Sequence, residues 1–328
     1  MNKTTFFFVF VFVGMLAAAP DGSGKDPAPL LVPGPVIEVP GSHGKFDFLE
    51  IDEVGHRLLG SHTQDGTVDI FDLSTNRLLA RPATGAAQDT ACDVRGGRYF
   101  ASVSDEKRVA IIDAKTFKVT GTVSTDGPLD GIVFDPKNRC VYATHDNGRE
   151  VWVVSADTAK IVATVAIPGA PEYILYDPAA ARVYLNIKTT DEIVVIDPAQ
   201  NLVVTHWPTA PAKGPHGLAF DPVSHRLFAA GTNGQLVVVD SENGRVIASV
   251  PIAAKVDQIA FDPGLRRIYC AASDVLSVVQ ETPDGAQFLG NFASAPGAKN
   301  VAVDAKTHAV WCTYTDGKNA YAKSWILP

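Results

Sequence analysis

The chain lacks most of the residue groupings that announce a chemistry. Only 4 of its 328 residues are cysteine, and Cys92, Cys140, Cys270 and Cys312 never form a C-x-x-C pair. That spacing excludes zinc knuckles and thioredoxin-type dithiols, and the absence of C-x-x-C-H excludes haem attachment by that motif. The four cysteines fall in segments that read as strands, so buried free thiols are expected rather than disulfides. There is no G-x-S-x-G, no H-E-x-x-H and no G-x-x-x-x-G-K-[ST], which removes the standard serine hydrolase, zincin and P-loop readings. A basic surplus is missing too: 28 Lys and Arg face 36 Asp and Glu, for a formal net charge of -8. Nucleic acid is therefore the least supported partner, because backbone phosphates need a basic face.

Long apolar runs are absent after the first twenty residues. Lys3 gives a positive start, Phe6 to Leu16 is almost wholly apolar, and Ala17, Ala18 and Ala19 follow. This is the three-part plan of a signal peptide, expected over residues 1–19, with Pro20 disfavouring cleavage directly after Ala19. The run is short for a membrane span, the alternative being an uncleaved anchor. Residues 20–35 are rich in Pro and Gly and read as a linker. A periplasmic or secreted, monomeric protein with no transmembrane span in its mature form is the expectation.

One phrase recurs through the remainder: an apolar triplet, Asp, often Pro, a short turn, then a second apolar run. It occurs at Asp52, Asp93, Asp135, Asp177, Asp221, Asp262 and Asp304, spaced 41, 42, 42, 44, 41 and 42 residues apart. That period belongs to a four-stranded propeller blade. Each unit carries four strand-like runs. In the fifth they are Gly217 to Phe220, Arg226 to Ala230, Gln235 to Val239 and Arg245 to Pro251, with Asp-Pro and Asn-Gly turns between. The fold class is all-β, a seven-bladed β-propeller over residues 36–328. The anchor aspartates read as scaffold, since one site does not need seven copies.

The last unit stops one strand short, after Val301 to Val303, Ala309 to Thr313 and Ala320 to Leu327. The segment Val36-Ile37-Glu38-Val39-Pro40 resembles the outer strand Val246-Ile247-Ala248-Ser249-Val250-Pro251. It is predicted to pair into the last blade and close the ring, removing an open sheet edge.

The units resemble YVTN-type repeats of YncE-like exported bacterial proteins. Val141-Tyr142-Ala143-Thr144 and Val183-Tyr184-Leu185-Asn186 carry the second-strand motif, and Val194-Val195-Ile196-Asp197 and Val237-Val238-Val239-Asp240 the third. The resemblance covers the chain after the linker. It implies the fold strongly and the function weakly, because propellers host many activities. The second unit departs at Arg95-Gly96-Gly97 and the sixth at Val279-Gln280-Glu281.

In a propeller the loop leading into each inner strand opens on one face around the central channel. Five residues before each anchor stand Asp47, Gln88, Asp130, Glu172, His216, Asp257 and Lys299. All seven are polar, and each is preceded by an apolar residue or Pro, so a polar ring is predicted at the channel mouth. Ten residues after the anchors, the adjoining loops bring His62, His145 beside Asp146, and Tyr314, with Asn186 and Lys188 in the fourth unit. His62 is expected beside Asp47 and His145 beside Asp130. Clustered acids take up protons or attract a cation. Asp47, Asp130, Glu172 and Asp257 are thus candidate ligands for a divalent metal. Calcium or magnesium would suit oxygen donors alone, and zinc, manganese or iron a site with added His. Exposed loop residues are also commonly charged without function.

Three readings remain open. The first is a propeller that binds a small-molecule ligand or protein partner at this mouth without turnover. The second is a metal-assisted hydrolase or lactonase with His216 or His145 as general base, since propeller lactonases are similar in holding a cation at the channel mouth. The third, nucleic-acid binding, occurs in the YncE-like group.

Overall fold

The computed structural model describes Met1 and residues 30–328. The leader expected over residues 1–19 lies outside the described residues. Among those described, 28 strands form seven four-stranded antiparallel sheets, with a single 3-10 turn at Thr63–Asp65. No described helix is long and apolar enough to cross a membrane.

Six sheets follow chain order from channel to rim. Blade five is Pro215–Asp221, Arg226–Gly231, Gln235–Asp240 and Val246–Pro251. Blade seven is Ala302–Asp304, Ala309–Thr315 and Ala320–Ile326, completed by the N-terminal strand Val32–Val39. That strand runs antiparallel to Ala320–Ile326, pairing Val36 with Lys323 and Val39 with Ala320. The predicted closure is therefore present, and the strand starts at Val32, four residues earlier than read from sequence. Its register slips between Pro33 and Val36, where Pro33 and Pro35 have no N–H to give to the ladder.

The sequence pattern explains the depth of each strand. Third strands such as Val151–Val154 and Ile193–Ile196 are apolar at every position and buried throughout, as strands sandwiched between neighbouring sheets must be. Each fully buried Val or Ile contributes roughly 1.5–3 kcal/mol over exposure. Outer strands alternate, and Val119–Ser124 buries mainly Val123. All four cysteines are free.

The anchor aspartates are buried and work twice. Within their own blade they hold the turn after the inner strand: Asp52, Asp135, Asp177 and Asp262 each accept the backbone N–H groups two and three residues on. Between blades, Asp93, Asp262 and Asp304 are clasped by the residue four beyond the next anchor, a position that has positive φ in all seven blades. Arg139 reaches Asp93 at 2.8 Å, His308 reaches Asp262 at 2.9 Å and His56 reaches Asp304 at 2.9 Å. His56 and His308 are thus interblade ties on both flanks of the closing blade. Asp52 is met by the Tyr99 hydroxyl at 2.7 Å instead, because Gly97 holds the clasp position.

Candidate functional site

Bulges aim the mouth residues. In blades two to six the pairing of first and second strands slips where the inner strand begins, between Ala87 and Asp89, Leu129 and Ile132, Pro171 and Ile174, Pro215 and Leu218, and Val256 and Gln258. Each slip contains one mouth residue, and a bulge turns such a side chain out of the ladder. The backbone groups so released are bound by neighbouring blades. Asp89 accepts from Ile132 N–H at 3.1 Å, and the Ser102 hydroxyl donates to the Asp130 carbonyl. The Asn186 amide donates to the His216 and Gly217 carbonyls, and that of Asn300 to the Asp47 carbonyl.

Five of the seven mouth residues join in one chain in which carboxylates alternate with nitrogen groups. Lys299 Nζ lies 3.0 Å from Asp47 and 2.6 Å from Asp257. His216 Nδ1 lies 3.3 Å from Asp257 and 3.2 Å from Glu172. Glu172 is also paired with Lys188. The chain runs through blades one, seven, six, five and four in order around the axis. Against the penalty of burial, His216 and Lys299 hold the Asp257 carboxyl below its usual range. Burial still raises Asp47 and Glu172, with Lys299, and His216 and Lys188, opposing it.

Blades two and three leave a gap in this chain. Gln88 and Asp130 stand there, and no ion pair engages Asp130 among the described residues. Burial, then the charges of Glu172, Asp47, Asp146 and Asp89, push the Asp130 carboxyl well above the ordinary value. The mouth is thus ion-paired along one arc, while on the other Asp130 has no direct ion pair and feels Lys188 only at longer range.

Of the loop residues expected at the mouth, Asn186 and Lys188 reach mouth residues, whereas His62, His145 and Tyr314 turn into their own blades. His62 does not stand beside Asp47. It is fully buried, with Nδ1 2.7 Å from Asp69, Nε2 3.0 Å from the Gly44 carbonyl and its ring stacked on Phe46 at 3.7 Å. It is the last residue of Arg57–His62, and the pleat directs it into the blade. His145 turns to Glu150 at 3.1 Å and to Trp152, ring centroids 4.9 Å apart, and its neighbour Asp146 is the group whose charge reaches Asp130. Tyr314 stacks on Tyr321 in blade seven, centroids 5.0 Å apart. Three of the four proposed metal ligands, Asp47, Glu172 and Asp257, are already faced by Lys299, Lys188 and His216. Among the described residues no group of three or more His, Cys, Asp or Glu side chains is arranged to hold a metal ion.

Below the ring the channel closes and then widens. One residue further along the inner strands, Phe48 and Tyr173 meet edge to face across the axis, centroids 5.4 Å apart at 86°. The Gln258 amide ties blades one and seven beside them, accepting from Leu49 and Val301 N–H and donating to the Leu49 carbonyl. Beneath lies a cavity of about 420 Å³ that none of the seven mouth residues lines. Two acids of this interior, Asp89 and Glu50, were not singled out from sequence. A signal existed for Glu50: two residues before the other anchors stand Ala91, Val133, Leu175, Ala219, Ala260 and Ala302, all apolar.

No family model matches the chain, and no curated protein does. Solved structures match over nearly its whole length. A chain of the mitotic checkpoint complex is similar with a TM-score of 0.79 and 11% identity, covering 97% of this chain and 99% of that one. Kuenenia stuttgartiensis hydrazine synthase gives a TM-score of 0.76 at 12% identity, over 88% and 97%. The β-propeller domain of Myceliophteria thermophila Cps50 (Swd1) gives 0.72 at 12%, over 89% and 100%. Identities this low speak to the fold alone.

Proposed function

We propose that the chain is an exported, non-catalytic propeller that binds a small ligand through a positively charged group at its channel mouth. The observation that carries this is the gap in the charge chain. Asp47, Glu172 and Asp257 each have a lysine within ion-pair distance, whereas Asp130 has no ion pair among the described residues and meets Lys188 only at longer range, beside Glu172, Asp47 and Asp146. A ligand's ammonium or guanidinium group would complete the ring there and gain a charge-assisted hydrogen bond. The plug of Phe48 and Tyr173 sets the depth such a ligand can reach. The leader-like first residues and the YVTN-like repeats support export, and the acidic balance suits a cationic rather than a polyanionic partner.

The test is titration calorimetry of the purified chain against a panel of small amines and guanidines. Asp130→Asn should weaken binding tenfold or more. Loss of one hydrogen-bonded charge is worth about 1.5–3 kcal/mol. Removal of Gln88, across the gap, should have a smaller effect. Affinity unchanged in Asp130→Asn would place the ligand elsewhere.

A further inference from the structure

We infer that the cavity beneath the plug is a second binding site, separate from the mouth, for a small amine with an apolar body, its ammonium group held by Glu50. The inner strands alternate, so the residue two before each anchor faces the bore. Six blades place Ala, Val or Leu there and blade one places Glu50. This carboxyl stands in the wall shared by the 420 Å³ cavity and an adjoining one of about 250 Å³ against blades two to four. Neither cavity is lined by a Lys, Arg or His. The charges Glu50 meets are those of Asp89, Glu53 and Asp52, and the one group favouring its ionised form is the Ile51 backbone.

The contrast with the mouth decides the ligand class. There the chain supplies its own cations; here it supplies acids and no cation, so the countercharge must come from the ligand. The rest of the lining suits the remainder of such a molecule. Leu218 and Ile259 give apolar wall, and Tyr173, Tyr176, Phe220 and Phe261 give ring faces that attract ammonium groups. The volume lies in the range of small-molecule pockets, about 300–1,000 Å³. Pro178 and Pro222, in the turns after the inner strands, border the cavity on the face opposite the mouth. A ligand therefore enters without passing the plug.

Burial, with Asp89, Glu53 and Asp52 adding to it, lifts the Glu50 carboxyl to about 8. At pH 7 the empty site is mostly the neutral acid. An arriving ammonium restores the carboxylate, and the displaced proton leaves to solvent.

The experiment is calorimetry of the purified chain with 2-phenylethylamine and its neutral counterpart 2-phenylethanol, at pH 7, in buffers of low and high ionisation enthalpy. The amine should bind at least tenfold tighter than the alcohol and release most of one proton per molecule bound. Glu50→Gln should abolish both the preference and the release, and Ala260→Phe should fill the cavity and block both ligands. Equal affinity for amine and alcohol, no proton release, or no amine binding at millimolar concentration would each overturn the site. Amine affinity unchanged in Glu50→Gln would assign the amine to the mouth and overturn it as well.

Discussion

Asp93 accepts the Gly96 N–H at 2.8 Å, pairs with Arg98 at 2.9 Å and receives Arg139 from the next blade at 2.8 Å. Its side chain is 1% exposed, while those of the two arginines are 24% and 33% exposed. Asp93→Ala should therefore cost about 2–3 kcal/mol, less than a fully buried pair because solvent screens the arginines. Urea unfolding of the two proteins would measure it, and a loss below 0.5 kcal/mol, the scale of an ordinary surface change, would contradict the clasp. The anchors were legible in the sequence because their work is local and repeated. The clasping partner was not, since Arg139 and Asp93 are distant in sequence and meet only through the rotation between blades. The same reason separates the legible ring from its illegible pairing. Counting back five residues found Asp47, Asp257 and Lys299, but no spacing shows that one lysine bridges two acids from blades one and six. His62 misled because a position at the end of a strand can face either the channel or the blade, and Asp69 draws it into the blade.

At the level of elements, two devices govern the site. Strand bulges set the mouth residues, and they leave no mark in sequence, since one slipped residue changes neither composition nor period. Strand boundaries, by contrast, followed the Asp-Pro and Asn-Gly turns closely, as in blade five. The second device is the closing strand. Its Ile37 is 5% exposed and packs with Val39 among Trp311, Ala320 and Ala322. Ile37→Ala should cost about 2–3 kcal/mol. Deleting residues 30–39 would bare the edge of Ala320–Ile326, and an exposed edge recruits other strands. Light scattering should then show association, and a peptide spanning residues 30–41 added in trans should return the protein to the mass of the uncut chain. A truncated chain with the association state and melting temperature of the uncut chain would show that closure is dispensable.

For the whole molecule, the buried carboxyls oppose one another across the pH scale. Asp93 and Asp304 are held below the ordinary range despite burial, by Arg139 and Gly96 in one case and by Thr307 and His56 in the other. Their contribution is present above the ordinary carboxylate range and is lost as pH falls beneath it. Glu50 and Asp89 are raised, to about 8 and about 7, chiefly by burial. The native state keeps their protons longer than the unfolded chain, so stability declines as pH climbs from the ordinary range towards those values. The melting temperature should peak near about pH 5 and fall towards pH 9. Glu50→Gln should flatten the alkaline limb. A wild-type melting temperature that rises steadily up to pH 8 would refute this balance. The closing pair carries a mechanical consequence. Val32 lies opposite Ile326 at one end of an antiparallel pair, so tension applied to those two residues peels the hydrogen bonds apart one after another instead of shearing them together. The closure resists load poorly: a modest pull would unzip blade seven first and leave the other six blades arranged as an open arc.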